Sequence, residues 1–191
     1  MLPCIFLTSE IMACSLTITG RSLPCRDALG GVKKVWFGAT LFTDGIWTAV
    51  GETTPGEIDN STAGVALQDF VSPKNTSSLT QTVNASVENG TVFYSQVLSL
   101  VCNKPVAADI VEIQNLAKGR LIIVVQDLND NYFVMGHTRG CELTGGSLAT
   151  GTAIGDLNGF TLEFTAEEGI PAPFLDATSA AAGSVTFNVT P

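Results

Sequence analysis

Charge is what this chain has least of. Only 14% of its 191 residues are Asp, Glu, Lys or Arg, against about 25% in an ordinary soluble domain. Basic residues are the scarcer kind: nine Lys and Arg stand against eighteen Asp and Glu, for a net charge of −9. Lys33-Lys34 is the single adjacent basic pair. A grip on nucleic acid through its phosphates needs clustered Lys and Arg, so that mode of binding is excluded. A role in which DNA is repelled and passed along is not. The one histidine, His137, offers no Ser–His or Cys–His arrangement that sequence can argue for, and a structural histidine is expected. No enzymatic activity, cofactor or metal is expected.

Other absences narrow the class further. The five cysteines, Cys4, Cys14, Cys25, Cys102 and Cys141, are odd in number, widely spaced and without a C-x-x-C. They form neither a zinc framework nor a dense disulfide scaffold. Reduced thiols are the expectation, with Cys102 a small buried hydrophobe in a strand. Long apolar runs are missing. The run at 2–7 is too short to span a bilayer, lacks a basic flank and is followed by Glu10, so neither a signal peptide nor a membrane partner is expected. Asp127, Asn129 and Asn131 imitate the first ligands of a calcium loop, but Tyr132 and Thr138 stand where Gly and Glu are needed, and a hairpin turn explains them better. Gly145, Gly146, Gly151 and Gly155 lack the spacing of a phosphate cradle.

Ser, Thr and Gly fill the space that charge leaves. Such a composition suits an assembly that hides much of its surface, or a compact β protein with hydroxyl-rich strands. The most informative segment is 77–102, which reads as one long hairpin. Asn89-Gly90 at its middle is the strongest short signal for a two-residue turn with positive φ at both residues. That turn sets Glu88 opposite Thr91 and Val87 opposite Val92. One face then carries Leu79, Gln81, Val83, Ala85 and Val87 against Val92, Tyr94, Gln96, Leu98 and Leu100. The other carries Ser78, Thr80, Thr82, Asn84, Ser86 and Glu88 against Thr91, Phe93, Ser95, Val97 and Ser99. Strands of about twelve residues reach roughly 40 Å, twice the usual length. An apolar side and a hydroxyl-rich side suggest a wall between a protein layer and water.

Elsewhere the chain reads as short strands with one helix. Strands are expected at 14–19, 32–42 and 46–50, the last after an Asp44-Gly45 turn, and a polar loop at 51–64. Segment 105–118 predicts a helix with Val106, Ile110, Ile113 and Ala117 as its apolar stripe, Pro105 in the first turn and Gly119 as the stop. A hairpin follows at 121–136, a Gly/Thr-rich stretch at 142–155, and an alternating strand at 160–165 that an acidic turn, Glu167-Glu168, closes. A last strand is possible at 184–189. The fold class is mainly β (α+β): a sandwich or barrel with one packed helix and a long amphipathic hairpin. The domain is expected at 14–176, between arms at 1–13 and 177–191.

This order of elements resembles the tail tube proteins of tailed bacteriophages. The likeness rests on the long two-faced hairpin, the single helix and the 121–136 hairpin. It also rests on Gly151-Thr152-Ala153-Ile154-Gly155-Asp156 and on Asn158-Gly159-Phe160-Thr161-Leu162-Glu163-Phe164-Thr165. The stretch Cys14 to Gly20-Arg21, with Cys25-Arg26-Asp27 and Gly30-Gly31-Val32-Lys33, is similar to the start of some phage tail proteins. The likeness covers roughly residues 65–174. It implies a structural subunit of the virion tail, assembled in the bacterial host cytoplasm. Its hairpins join in a ring, expected to be hexameric, and rings stack into a conduit through which DNA passes without specific binding. It also implies contacts with other tail proteins. Ser78, Thr80, Thr82, Asn84, Ser86, Glu88, Thr91, Ser95 and Ser99 would then face the lumen, with Asn89 and Gly90 as the turn. Two other classes fit the residues: a different phage structural part (decoration, baseplate or fibre), and a secreted β-rich binding module using the Asn-x-Ser/Thr sequons at Asn60, Asn75, Asn84, Asn89 and Asn188.

Overall fold

The computed structural model describes residues 20, 21, 26–38, 57, 58, 65–175 and 185–188. The expected arm 1–13, the strand at 14–19, the Asp44-Gly45 hairpin and most of the arm 177–191 lie outside those residues, as do Cys4, Cys14 and Cys25. Among the described residues the order is β1 (Val32–Gly38), β2 (Glu57–Ile58), β3 (Val65–Phe70), β4 (Ser78–Ser86), β5 (Thr91–Asn103), α1 (Ala107–Leu116), β6 (Ile122–Asp127), β7 (Tyr132–Met135), β8 (Glu142–Ala149), β9 (Gly159–Glu168), β10 (Phe174–Leu175) and β11 (Val185–Asn188).

The strands form two sheets, one of seven strands in the order β11-β3-β1-β6-β7-β10-β2 and one of four in the order β4-β5-β9-β8. Neighbours are antiparallel except β10 with β2 and β11 with β3, which are parallel. The fold is therefore mainly β with one helix, the α+β sandwich class that the strand pattern predicts. Period-two alternation along β5 and β9 turns Leu98, Leu100, Phe160, Leu162 and Phe164 toward Val35, Phe37, Ile123, Val125 and Met135 of the larger sheet. Phe37 packs on Phe164 with ring centroids 5.0 Å apart. Each such fully buried side chain contributes about 1.5–3 kcal/mol. The larger sheet is buried on its other face too, through Trp36, Leu67, Ile122, Val124, Val134 and Leu175. That double burial explains why 121–125 is an unbroken apolar run and not an alternating one.

The helix departs from expectation. It is shorter than 105–118, with Val106 and Ala117 as its caps, and none of its residues is fully buried. Ile113 and Leu116 alone pack on the core, while Ile110 and Val111 are exposed. Three residues apart, Ile113 and Leu116 share one face at the helix's C-terminal end, so the helix leans on the sheet by that end. At the other end the Val106 side chain has no acceptor to offer, and the Asp109 carboxylate accepts the Val106 N–H at 2.8 Å.

Two further differences and one agreement concern strand ends. Within the expected polar loop 51–64, Glu57–Ile58 pairs with β10. The expected last strand exists as Val185–Asn188 and joins β3. Glu167-Glu168 is not a turn: β9 runs through both. The 127–131 segment is the expected hairpin turn. The Asp127 Oδ1 atom accepts the Asn129 and Asn131 N–H groups, both at 2.8 Å, and its Oδ2 accepts their side-chain amides at 3.1 and 3.0 Å. Burial works against ionisation of Asp127, but these hydrogen bonds outweigh it and hold its pKa below the ordinary value.

Two glycines test how backbone and packing combine. Gly90 and Gly136 both have left-handed φ, 61° and 71°. A Cβ on Gly90 meets nothing within 4 Å, whereas one on Gly136 would stand 2.7 Å from the Cys141 backbone nitrogen. Gly90→Ala should therefore cost about 1 kcal/mol from backbone strain alone. Gly136→Ala should cost several times more, because backbone must shift. Denaturant midpoints of the two variants check this, and equal midpoints would refute it.

Candidate assembly face of the four-stranded sheet

The hairpin forms with a different turn from the expected one. Ser86, not Glu88, stands opposite Thr91, and the ladder continues through Asn84↔Phe93, Thr82↔Ser95 and Thr80↔Val97 to Ser78↔Ser99. The connection is the four-residue stretch Val87, Glu88, Asn89, Gly90. Gly90 has positive φ and Asn89 does not, so a single left-handed residue closes the loop, as in longer hairpin loops built on a type I turn. The register differs by two residues, an even number, so every strand residue keeps its expected face. Glu88 alone leaves the set: it sits in the turn and not on the ladder.

Ser78, Thr80, Thr82, Asn84 and Ser86 of β4 and Thr91, Ser95 and Ser99 of β5 thus lie on one accessible face, with Phe93 and Val97 among them. The face continues onto strands that the hairpin reading did not include. Glu167 stands beside Ser95, Thr165 beside Val97, Glu163 beside Ser99 and Thr161 beside Val101. On β8, Glu142 stands beside Thr165 and Ser147 beside Thr161, and the Thr144 and Thr165 hydroxyls are 2.8 Å apart. Glu142, Glu163 and Glu167 therefore supply the acidity that the hairpin lacks. The signal for Glu163 and Glu167 was present in sequence: in 159–168, Phe160, Leu162, Phe164 and Ala166 alternate with Thr161, Glu163, Thr165 and Glu167. No Lys or Arg occurs in β4, β5, β8 or β9. Arg120 reaches Glu142 at 3.2 Å from the sheet's margin, an exposed pair worth little.

The opposite face is covered only in part. Gln96, Leu98 and Leu100 are buried, but Val83 is 59% exposed and Val87 96% exposed. β9 ends opposite Tyr94, so the hairpin tip projects past the sheet, and its apolar side is bare where the sequence pattern predicts packing. At the root of this projection, the Glu168 carboxylate, 2% exposed, accepts the Thr138 and Arg139 N–H groups at 2.9 and 2.7 Å. Gln96 accepts the Gly136 N–H at 3.2 Å. These two side chains pin the β7–β8 loop to the small sheet. His137 lies in that loop with its Nδ1 2.9 Å from the Thr138 hydroxyl. Burial, and secondarily the Glu168 charge, push the Cys141 thiol far above its ordinary pKa, which makes it inert. Cys102 is raised by burial first and by Asp109 second.

Among the described residues β4 has a strand partner only in β5, and β8 only in β9. The β4 margin is open, and the β8 margin is open beyond its start, where Leu121 bridges Cys141. Natural proteins blunt an open edge with Lys, Pro, inward charge or bulges. β4, Ser-Leu-Thr-Gln-Thr-Val-Asn-Ala-Ser, carries none of the first three. β8 has one bulge, between Leu143 and Gly145. Among the described residues no cluster of His, Cys, Asp and Glu could hold a metal ion, and no helix is long and apolar enough to cross a membrane. Compared with protein-family models, curated proteins and solved structures, the chain matches none.

The two faces should respond differently to charge. Thr82→Asp, on the accessible face, should change folding stability by no more than about 0.5 kcal/mol. Leu98→Asp buries an unpaired carboxylate at a site that is 0% exposed and should prevent folding. Circular dichroism melts of the two variants decide it; similar melting would mean that the alternation is misassigned.

Proposed function

We propose that this chain is a structural subunit of a hollow, self-assembled tube of the bacteriophage tail kind, located in the virion tail and acting as a passive conduit for DNA. It is not an enzyme in this reading, and its partners are further copies of itself and other tail proteins. The observation that carries the reading is the small sheet: one face largely packed, the other hydroxyl-rich and acidic, a β4 edge with no blunting device, and a β8 edge that a single bulge interrupts.

Closing such sheets edge to edge removes the edges. Each step from β4 to β5 to β9 to β8 is antiparallel, so β8 of one copy meets β4 of the next in the antiparallel sense. Closed barrels also need a stagger, because their strands tilt; at about 36° the shift is roughly one residue per strand. Four strands then need about four residues of offset per copy. The sheet carries that offset. The middle of β4, Thr82, stands opposite Ser95. The middle of β8, Gly145-Gly146, stands opposite Glu163 and Leu162, and through them opposite Ser99 and Leu100. From Ser95 to Ser99 or Leu100 is four or five residues along β5. Six copies would supply about 24 strands and a circumference of roughly 115 Å before tilt. The polar face would line the lumen, where carboxylates and the absence of strand Lys and Arg keep phosphates from sticking.

Electron microscopy of the purified protein should show hollow rings or tubes. A monodisperse monomer at high concentration in several buffers would overturn the proposal. The protein should also bind double-stranded DNA weakly or not at all at ~150 mM salt in a gel-shift measurement. Sub-micromolar binding would replace the conduit with a DNA-anchoring role.

A further inference from the structure

Between α1 and the open edge of the small sheet runs an apolar groove, lined by Ile113, Leu143, Gly146, Leu148, Phe160 and Leu162. Gly145 and Gly146 leave β8 without side chains at its middle, and Leu148 is 55% exposed. At the other edge of the same sheet, Val83 of β4 is exposed on the apolar face. We infer that the groove of one copy receives Val83 and its apolar neighbours on β4 from the next copy. This rests on the ring reading above and goes further, naming which side chains meet and where.

Alternation and offset select this contact. On β8 the residues turned to the packed face are Leu143, opposite Phe164, then Gly146 and Leu148, opposite Leu162 and Phe160. On β4 they are Leu79, Gln81, Val83 and Ala85, whose ladder partners include the buried Leu98 and Gln96. Directly opposed residues of an antiparallel pair lie on the same side of the sheet, so the apolar set of β4 can oppose only that set of β8. Aligning the strand middles, as the stagger requires, brings Val83 over the Leu143–Gly146 stretch. Gly146, the glycine on that face, leaves room for its side chain beneath Ile113. A bare valine and a bare apolar groove, each exposed alone, cover one another. The chain's own β4 cannot do this: three strand spacings, about 14 Å, separate the two edges within one molecule.

Cysteine pairs test the contact. Val83→Cys should be combined in turn with Leu143→Cys, Gly146→Cys and Leu148→Cys, and assembled protein oxidised and run on non-reducing gels. At least one combination should give a ladder of covalent oligomers. All variants are made with the five native cysteines replaced by Ser or Ala. Those with one introduced cysteine should give none, and Thr82→Cys with the same three partners should give none, since Thr82 points to the other face. A disulfide needs Cα atoms within about 7 Å, so a link can form only between copies. In parallel, Val83→Asp should fold as the wild type does but raise the concentration needed for assembly about tenfold or more. If the wild type forms rings while no Val83 pair cross-links and Val83→Asp assembles normally, this contact is wrong and the ring reading stands. If the wild type forms no ring, both fall.

Discussion

The pairing of β5 with β9 is the constraint from which the rest follows. Tyr94 through Asn103 oppose Glu168 through Gly159 without interruption. Because side chains alternate with a period of two, this one register decides which residues enter the core. A slip of a single residue would turn one strand over against the other, sending either Leu98 and Leu100 or Leu162 and Phe164 to water and drawing that strand's Ser or Glu side chains inside, where each unpartnered polar group costs about 1–3 kcal/mol. The register has a lock at its end. A Cβ on Gly159 would stand 2.2 Å from the Cys102 carbonyl oxygen, so only glycine permits the approach. Ser77 adds a side-chain tie, accepting the Val101 N–H at 3.1 Å.

Much of this was legible in the chain itself, and the failures have physical causes. Hairpin faces were readable because alternation is a local property that survives an even change of register. The turn was not, since Asn-Gly signals one geometry strongly while the same glycine serves equally well as the single left-handed residue of a longer loop. The helix existed where its stripe placed it, but the stripe overstated burial: periodicity reports a face, not how much of that face a neighbour covers. Glu168 could not be read as buried. Its carboxylate is satisfied by backbone N–H groups about thirty residues away in sequence, and no local pattern encodes that. Glu163 was recoverable from the alternation of the 160–165 strand itself, and Glu167 by extending it by two residues. The two-residue pairing of β2 with β10 falls below the length at which alternation rises above chance.

Poverty of charge and the bare edges are two sides of one condition. A lone domain keeps itself apart from its copies with Lys and Glu on exposed strands. β4 carries neither, and the small sheet as a whole confines its charge to acids on the far strands. In the proposed tube that distribution becomes orderly. Hydroxyl groups, neutral and hydrated, form most of the lining, and carboxylates recur at fixed positions with each copy.

The long ladder between β5 and β9 also sets how the molecule bears load. Force applied along the strands acts on its hydrogen bonds in shear, so they share the tension and must give way together. Force applied across the strands opens them one at a time. The projecting tip of the β4–β5 hairpin has no β9 beside it and yields first under lateral force. The pinned root at Gln96 and Glu168 passes axial force into the β7–β8 loop and from there to the larger sheet. The small sheet is thus stiff along its strands and compliant at its free end.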